Sequence, residues 1–132
     1  MDRRRTKSDK IHIPWGWIVT ALGALIMLWF LLAPPRFWTN IVKGVSLKDP
    51  VASGEQMVAD YDCRGCHIIG SYGGYVGPDL RGVTERLGAE QLDTWLRDPT
   101  SIRGPSAMPD FDLSNSQIKA IIAYLQAQDE QP

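Results

Sequence analysis

The chain has 132 residues, with 14 basic and 15 acidic side chains and only two cysteines and two histidines. That length suits one small globular domain plus a further segment. The charge is unevenly placed: residues 1–33 carry five basic against two acidic side chains, and residues 34–132 carry nine against thirteen, which excludes a basic nucleic-acid-binding surface on the globular part.

Residues 1–12 form a polar tail. No charged residue occurs from Ile13 to Pro35, and Trp15 to Ala33 is a predominantly apolar run of 19 residues. As a helix this run is about 28 Å long, against a bilayer core of roughly 30 Å. The expected anchor is therefore a single transmembrane helix over residues 13–33. Trp15 and Trp17 lie at one end, and Phe37 and Trp38 just past the other, as an aromatic belt places them. The basic cluster ahead of the span predicts a cytoplasmic N-terminus and a periplasmic or outer-face location for the rest. A cleavable signal peptide is the alternative. The apolar run is long for it, and Leu31-Leu32-Ala33 followed by Pro34-Pro35 matches its cleavage site poorly. Gly16, Thr20 and Ala24 recur at a spacing of four, with Gly23 beside them, which would let a partner helix approach closely.

Residues 34–49 read as a juxtamembrane linker, opening on Pro34-Pro35 and closing on Asp49-Pro50. Residues 50–132 form the second domain, compact to about residue 128. Ser53-Gly-Glu-Gln56 has the pattern of a capping box and predicts a helix running to about Tyr61. That helix leads into Cys63-Arg64-Gly65-Cys66-His67.

Two cysteines two residues apart, followed at once by histidine, form the pattern for covalent attachment of a c-type haem. Each thiol can form a thioether to a haem vinyl group, with the adjacent imidazole beneath the iron. A zinc site would need two further Cys or His ligands, and only His12, ahead of the span, remains. A thioredoxin-like redox pair expects a βαβ context and needs no neighbouring His. A simple disulfide is compatible with composition alone.

Beyond the motif, residues 70–77 hold four glycines and precede Pro78, which predicts an irregular loop. Ala89 to Arg97, with Leu92, Trp95 and Leu96 on one side, predicts a short amphipathic helix ended by Asp98-Pro99. A second loop holds Gly104, Pro105, Met108 and Pro109. Ser114-Asn-Ser-Gln117 is another capping box, followed by Ile118, Ile121, Ile122 and Leu125 at the spacing of a helix face. No segment shows a convincing strand periodicity.

If His67 holds one face of the iron, few side chains can reach the other. Met57 sits on the helix before the motif. Met108 lies in a Pro-rich loop placed to cross the opposite face, and its soft thioether would raise the reduction potential. His67 and Met108 are therefore the expected metal ligands, with a structural Met108 as the alternative.

Cys63-x-x-Cys66-His67, then Gly77-Pro78-Asp79-Leu80, then Met108-Pro109-Asp110-Phe111, then a C-terminal amphipathic helix, together resemble a class I cytochrome c over residues 50–128. The resemblance implies an all-α fold around one covalent haem c, with its first and last helices packed together and Tyr124 meeting Gly54 or Ala59. It implies that the Pro78 carbonyl accepts a hydrogen bond from His67. It makes Arg81, Trp95 and Arg97 candidates to approach the haem or its propionates, with Tyr72 and Tyr75 as possible flanking groups. Bland readings compete: a solvated arginine, a core tryptophan, surface tyrosines. A 79-residue domain without a disulfide is marginal for core burial, so the haem-free domain is expected to fold poorly.

A haem with both axial positions filled exchanges single electrons and does not bind substrate at iron. Membrane-anchored members of this family resemble either permanent subunits of larger respiratory complexes or tethered shuttles between a quinol-oxidising complex and a terminal reductase. The expectation is an electron-transfer protein, not an enzyme, working with redox partner proteins in a hetero-oligomeric membrane complex. A haem sensor or peroxidase-like enzyme, or a purely structural subunit, are the rivals. The acidic domain has no lysine-rich stripe, so docking should use a basic or apolar partner surface.

Overall fold

The computed structural model describes residues 14–32 and 35–131. The polar tail expected at residues 1–12 lies outside them. The chain divides into two compact units, one up to Pro35 and one from Arg36 onward. The first contains helix α1 (Trp15–Leu32), 18 residues with no buried side chain. Its backbone groups bond within the helix, and its hydroxyl, Thr20 Oγ1, bonds back to Gly16 O at 3.1 Å and Trp17 O at 3.0 Å. A bilayer core accepts such an internally satisfied apolar helix, whereas water does not. By length and composition it is the one candidate span among the described residues.

In the second unit, residues expected as linker form α2 (Arg36–Val42) and the extended stretch after it. Polar groups hold both to the rest of the unit. Arg36 Nη2 donates to Arg97 O at 2.6 Å, Asn115 N to Asn40 Oδ1 at 2.8 Å, and Ser114 Oγ to Lys43 O at 3.0 Å. Val45 N donates to Ser116 Oγ at 3.0 Å. The flanking Pro34-Pro35 and the short length of this stretch give it the pattern of a linker in the sequence. The inward face of the helix is polar.

Helix α3 (Pro50–Asp60) begins earlier than the pattern at Ser53 suggests. Asp49 caps it, accepting from Ala52 N at 3.0 Å, with Pro50 at the first helical position, where its missing N–H costs nothing. Ser53 Oγ donates instead to Ser46 O at 2.8 Å. One helical turn, α4 (Cys63–Cys66), follows, then a small antiparallel hairpin of β1 (Ile68–Ile69) and β2 (Tyr72–Gly73), the only strands among the described residues. Next come α5 (Val83–Arg97) and α6 (Pro99–Arg103). Gly88, at φ 76° and ψ 161°, breaks α5 into two pieces. The later piece matches the expected amphipathic helix, and the earlier one is capped from a distance by Asp129, which accepts from Gly82 N at 2.7 Å and Thr84 N at 3.0 Å.

Helix α7 (Asn115–Asp129) carries both halves of its capping box: Gln117 N donates to Ser114 Oγ at 3.2 Å, and Ser114 N to Gln117 Oε1 at 3.0 Å. It packs mainly on α3 and next on α5. Met57 and Val58 meet Ile118, Ile121, Tyr124 and Leu125 in the core, with Ile69, Val83, Leu92 and Leu113 around them. At Gly54 the two helices touch so closely that a Cβ would run into the Ala120 carbonyl and the Tyr124 Cβ. Tyr124 therefore lies against Gly54, while Ala59 is exposed. The domain is thus mostly helical, with its first and last long helices in contact.

Candidate functional site

The end of α3 positions the cysteines. Asp62 takes a left-handed conformation, φ 49°, which turns the chain sharply into α4. One helical turn brings positions three apart onto neighbouring places, so Cys63 and Cys66 stand together. Both are free, Cys63 half-buried and Cys66 exposed. Burial pushes the Cys63 thiol up from its ordinary pKa, keeping it protonated. His67 N closes the turn on Cys63 O at 2.9 Å, and His67 then leaves the helix in an extended conformation.

The glycine-rich loop is irregular but pinned to this turn. Gly74 N donates to Arg64 O at 2.7 Å, Gly77 N to Cys66 O at 2.8 Å, and Leu80 N to Ile68 O at 2.9 Å. His67 Nδ1 lies 2.8 Å from Pro78 O. A carbonyl only accepts, so Nδ1 carries the proton and Nε2 keeps its lone pair for a metal. A Cβ at Gly77 would collide with the imidazole ring, so glycine there makes the room that the ring occupies.

Elsewhere, Trp95 Nε1 donates to Met108 Sδ at 3.2 Å, joining α5 to the Pro-rich loop. Met108 N donates to Ser106 Oγ at 3.1 Å. No hydrogen bond joins this pair to the Cys63–His67–Pro78 group among the described residues. Arg81 forks the Asp79 carboxylate, with Nε 2.9 Å from Oδ2. That bond lowers the Asp79 pKa to about 2. Arg97 pairs with Asp93 at 2.9 Å and donates to Asn115 Oδ1 at 2.6 Å. Met57 Sδ accepts from Gln117 Nε2 at 3.3 Å within the α3–α7 core. Tyr72 and Tyr75 are exposed, at 65% and 88%.

Sequence reasoning missed Arg64. Its guanidinium donates to Tyr124 OH at 2.6 Å and to the carbonyls of Ile69 and Tyr72, and it stacks 4.2 Å from the Tyr72 ring centroid. One side chain inside the cysteine motif thereby ties the attachment turn to the hairpin and to α7. Nothing in the sequence marks it, because its partner Tyr124 is 60 positions away.

The donor set fits a haem c. Two unpaired thiols stand one turn apart, an imidazole has its outer nitrogen already engaged, and a thioether sits in a separate loop. Val76, next to Gly77, is an apolar residue 82% exposed beside the attachment turn, as suits contact with an apolar macrocycle. Residues 49–125 match the family described as "Cytochrome C oxidase, cbb3-type, subunit III". The chain belongs to this cytochrome c family. It therefore binds haem c covalently.

The cytochrome is also similar to individual proteins. It is 34% identical over 83 residues to cytochrome c oxidase subunit 2 of Alkalihalophilus pseudofirmus, covering 56% of this chain and 24% of that one. It is 31% identical to the nitric oxide reductase C subunit of Stutzerimonas stutzeri, covering 60% and 58% of the two chains. To the nitric oxide reductase C subunit of Halomonas halodenitrificans it is 27% identical, covering 92% and 86%. The cytochrome thus spans about a quarter of the first relative and under two thirds of the second. Its match to the third has to take in part of the apolar segment. That breadth agrees with a membrane anchor as part of the same chain.

Proposed function

We propose that the cytochrome is the electron-transfer subunit of a membrane respiratory complex, with Cys63 and Cys66 attached to the haem and His67 and Met108 as its axial ligands. Bound haem c supplies a one-electron Fe(III)/Fe(II) couple. The observation that carries the reading is the His67–Pro78 hydrogen bond at 2.8 Å, which directs Nε2 to the metal and fixes the ring's orientation before any electron arrives. Met108 adds a soft thioether that favours the reduced iron. With His67 and Met108 both holding the iron, the chain would offer no open coordination site, which supports transfer and not catalysis. Arg64 and the pinned loop hold the attachment turn rigid, which limits rearrangement on electron exchange.

The basic residues ahead of α1 support a cytoplasmic N-terminus, with the haem domain on the periplasmic or outer face. The relatives' names point to a partner of the nitric oxide reductase or cytochrome c oxidase class. Gentle solubilisation of native membranes, a native gel stained for haem and mass spectrometry of the stained band test this. Migration with a large oxidoreductase is the expected result. Migration alone would favour a tethered shuttle.

A further inference from the structure

The polarity of α2 is inverted. At about 100° per residue, Arg36, Thr39, Asn40 and Lys43 (just past its end) share one side, and Phe37, Trp38, Ile41 and Val42 share the other. The polar side meets the haem domain. Thr39 is only 5% exposed, and Arg36, Asn40 and Lys43 all hydrogen-bond to the α5–α7 region. The apolar side faces away, with Ile41 71%, Val42 65%, Phe37 54% and Trp38 53% exposed. A helix between a protein core and water carries the opposite arrangement.

The sequence says what covers this face. Only Ala33, Pro34 and Pro35 separate Leu32, the end of the apolar span, from Arg36. Four Cα steps reach no more than about 14 Å, so a chain leaving a bilayer core at Leu32 is still close to the headgroups when α2 begins. Tryptophan and phenylalanine favour that layer, and short amphipathic helices bury their apolar faces in it. We propose that α2 lies in the headgroup–acyl boundary, with Phe37, Trp38, Ile41 and Val42 in the lipid and its polar side clamping the haem domain in one orientation over the membrane. This rests on α1 being a membrane anchor. It deepens the functional reading, because a domain clamped at the surface suits a fixed subunit better than a swinging shuttle.

The test places photoreactive p-benzoylphenylalanine singly at Phe37, Ile41, Glu55 and Leu25 in the full haem-loaded chain, irradiated in native membranes. Phospholipid adducts at positions 37 and 41 and none at Glu55, an exposed residue of α3, are expected. An adduct with another polypeptide at 37 or 41 would overturn the proposal in favour of a subunit interface. No adduct at either position would overturn it in favour of a water-facing helix. The Leu25 probe separates the two readings: if it captures neither lipid nor protein and alkaline carbonate releases the chain, the anchor itself is wrong. As a second measurement, linear dichroism of the haem is recorded for the chain alone in oriented bilayers. A Phe37→Ser/Ile41→Ser variant should lose at least half of the parent's dichroism with an unchanged absorption spectrum, since both side chains are exposed. Unchanged dichroism would overturn the clamp.

Discussion

At the scale of single residues, the sulfur of Met108 has two possible claims on its lone pairs. One is the proposed bond to iron, and the other is the indole N–H of Trp95, 3.2 Å away. The two are compatible, since a thioether has two lone pairs. A hydrogen bond donated to the sulfur draws electron density from it and weakens its donation to ferric iron, so it favours the reduced state. Two variants separate these roles. Met108→Ala should open an axial position: the reduced protein then binds carbon monoxide without unfolding, and its midpoint potential falls. Trp95→Phe should keep the ligand and exclude carbon monoxide, yet lower the potential by a smaller step. Potentiometric titration and carbon monoxide difference spectra of both proteins distinguish the cases. Carbon monoxide binding by the parent protein would argue for a sensor or a peroxidase-like enzyme. Arg81 forms an ion pair beside the attachment loop. It is 62% exposed and holds Asp79, and an exposed pair of this kind is screened by salt.

At the scale of elements, the α3–α7 crossing carries the domain. Its closeness depends on Gly54, where an added Cβ has backbone on one side and the stem of Tyr124 on the other. Neither can swing aside as the tip of a long side chain would. Gly54→Val should therefore destabilise the haem-loaded cytochrome by about 3 kcal/mol, near the upper end of overpacking costs. Denaturant titration followed by far-ultraviolet circular dichroism reads this, and a loss below about 0.5 kcal/mol would show that the helices separate easily. The same crossing brings Tyr124 to Arg64, so it also supports the attachment turn. Packing energy and site geometry are coupled here through one arginine.

At the scale of the whole molecule, the haem is expected to complete the fold. The buried core comprises few large side chains, drawn mainly from α3 and α7, and several apolar residues outside the anchor remain exposed, Tyr75, Val76 and Ile102 among them. A domain of this size buries a smaller share of its surface than a large one does. Replacing both attachment cysteines, Cys63→Ser with Cys66→Ser, should leave a poorly folded domain with much of its helical circular dichroism lost. A near-native spectrum in the haem-free protein would show that the α3–α7 core suffices alone.

Much of the site is legible in the amino-acid order because its chemistry is local. Cys63, Cys66 and His67 lie within five consecutive positions, and a covalent attachment motif works within about one helical turn. The apolar span and the α7 capping box are likewise readable, since each depends on neighbours a few positions apart. The pattern at Ser53 places the start of α3 too late. Asp49 caps α3 with Pro50 at its first position, and Ser53, already inside the helix, donates to the Ser46 carbonyl instead. What only the folded chain decided involves partners far apart in sequence: Asn40 with Asn115, 75 positions on, and Arg64 with Tyr124, 60 positions on. Helix α2 falls in this class for a clear physical reason. Sequence periodicity reports which side of a helix avoids water, but whether that side turns to a protein core or away from it depends on what the polar side can bond, and here those bonds come from distant residues of the haem domain.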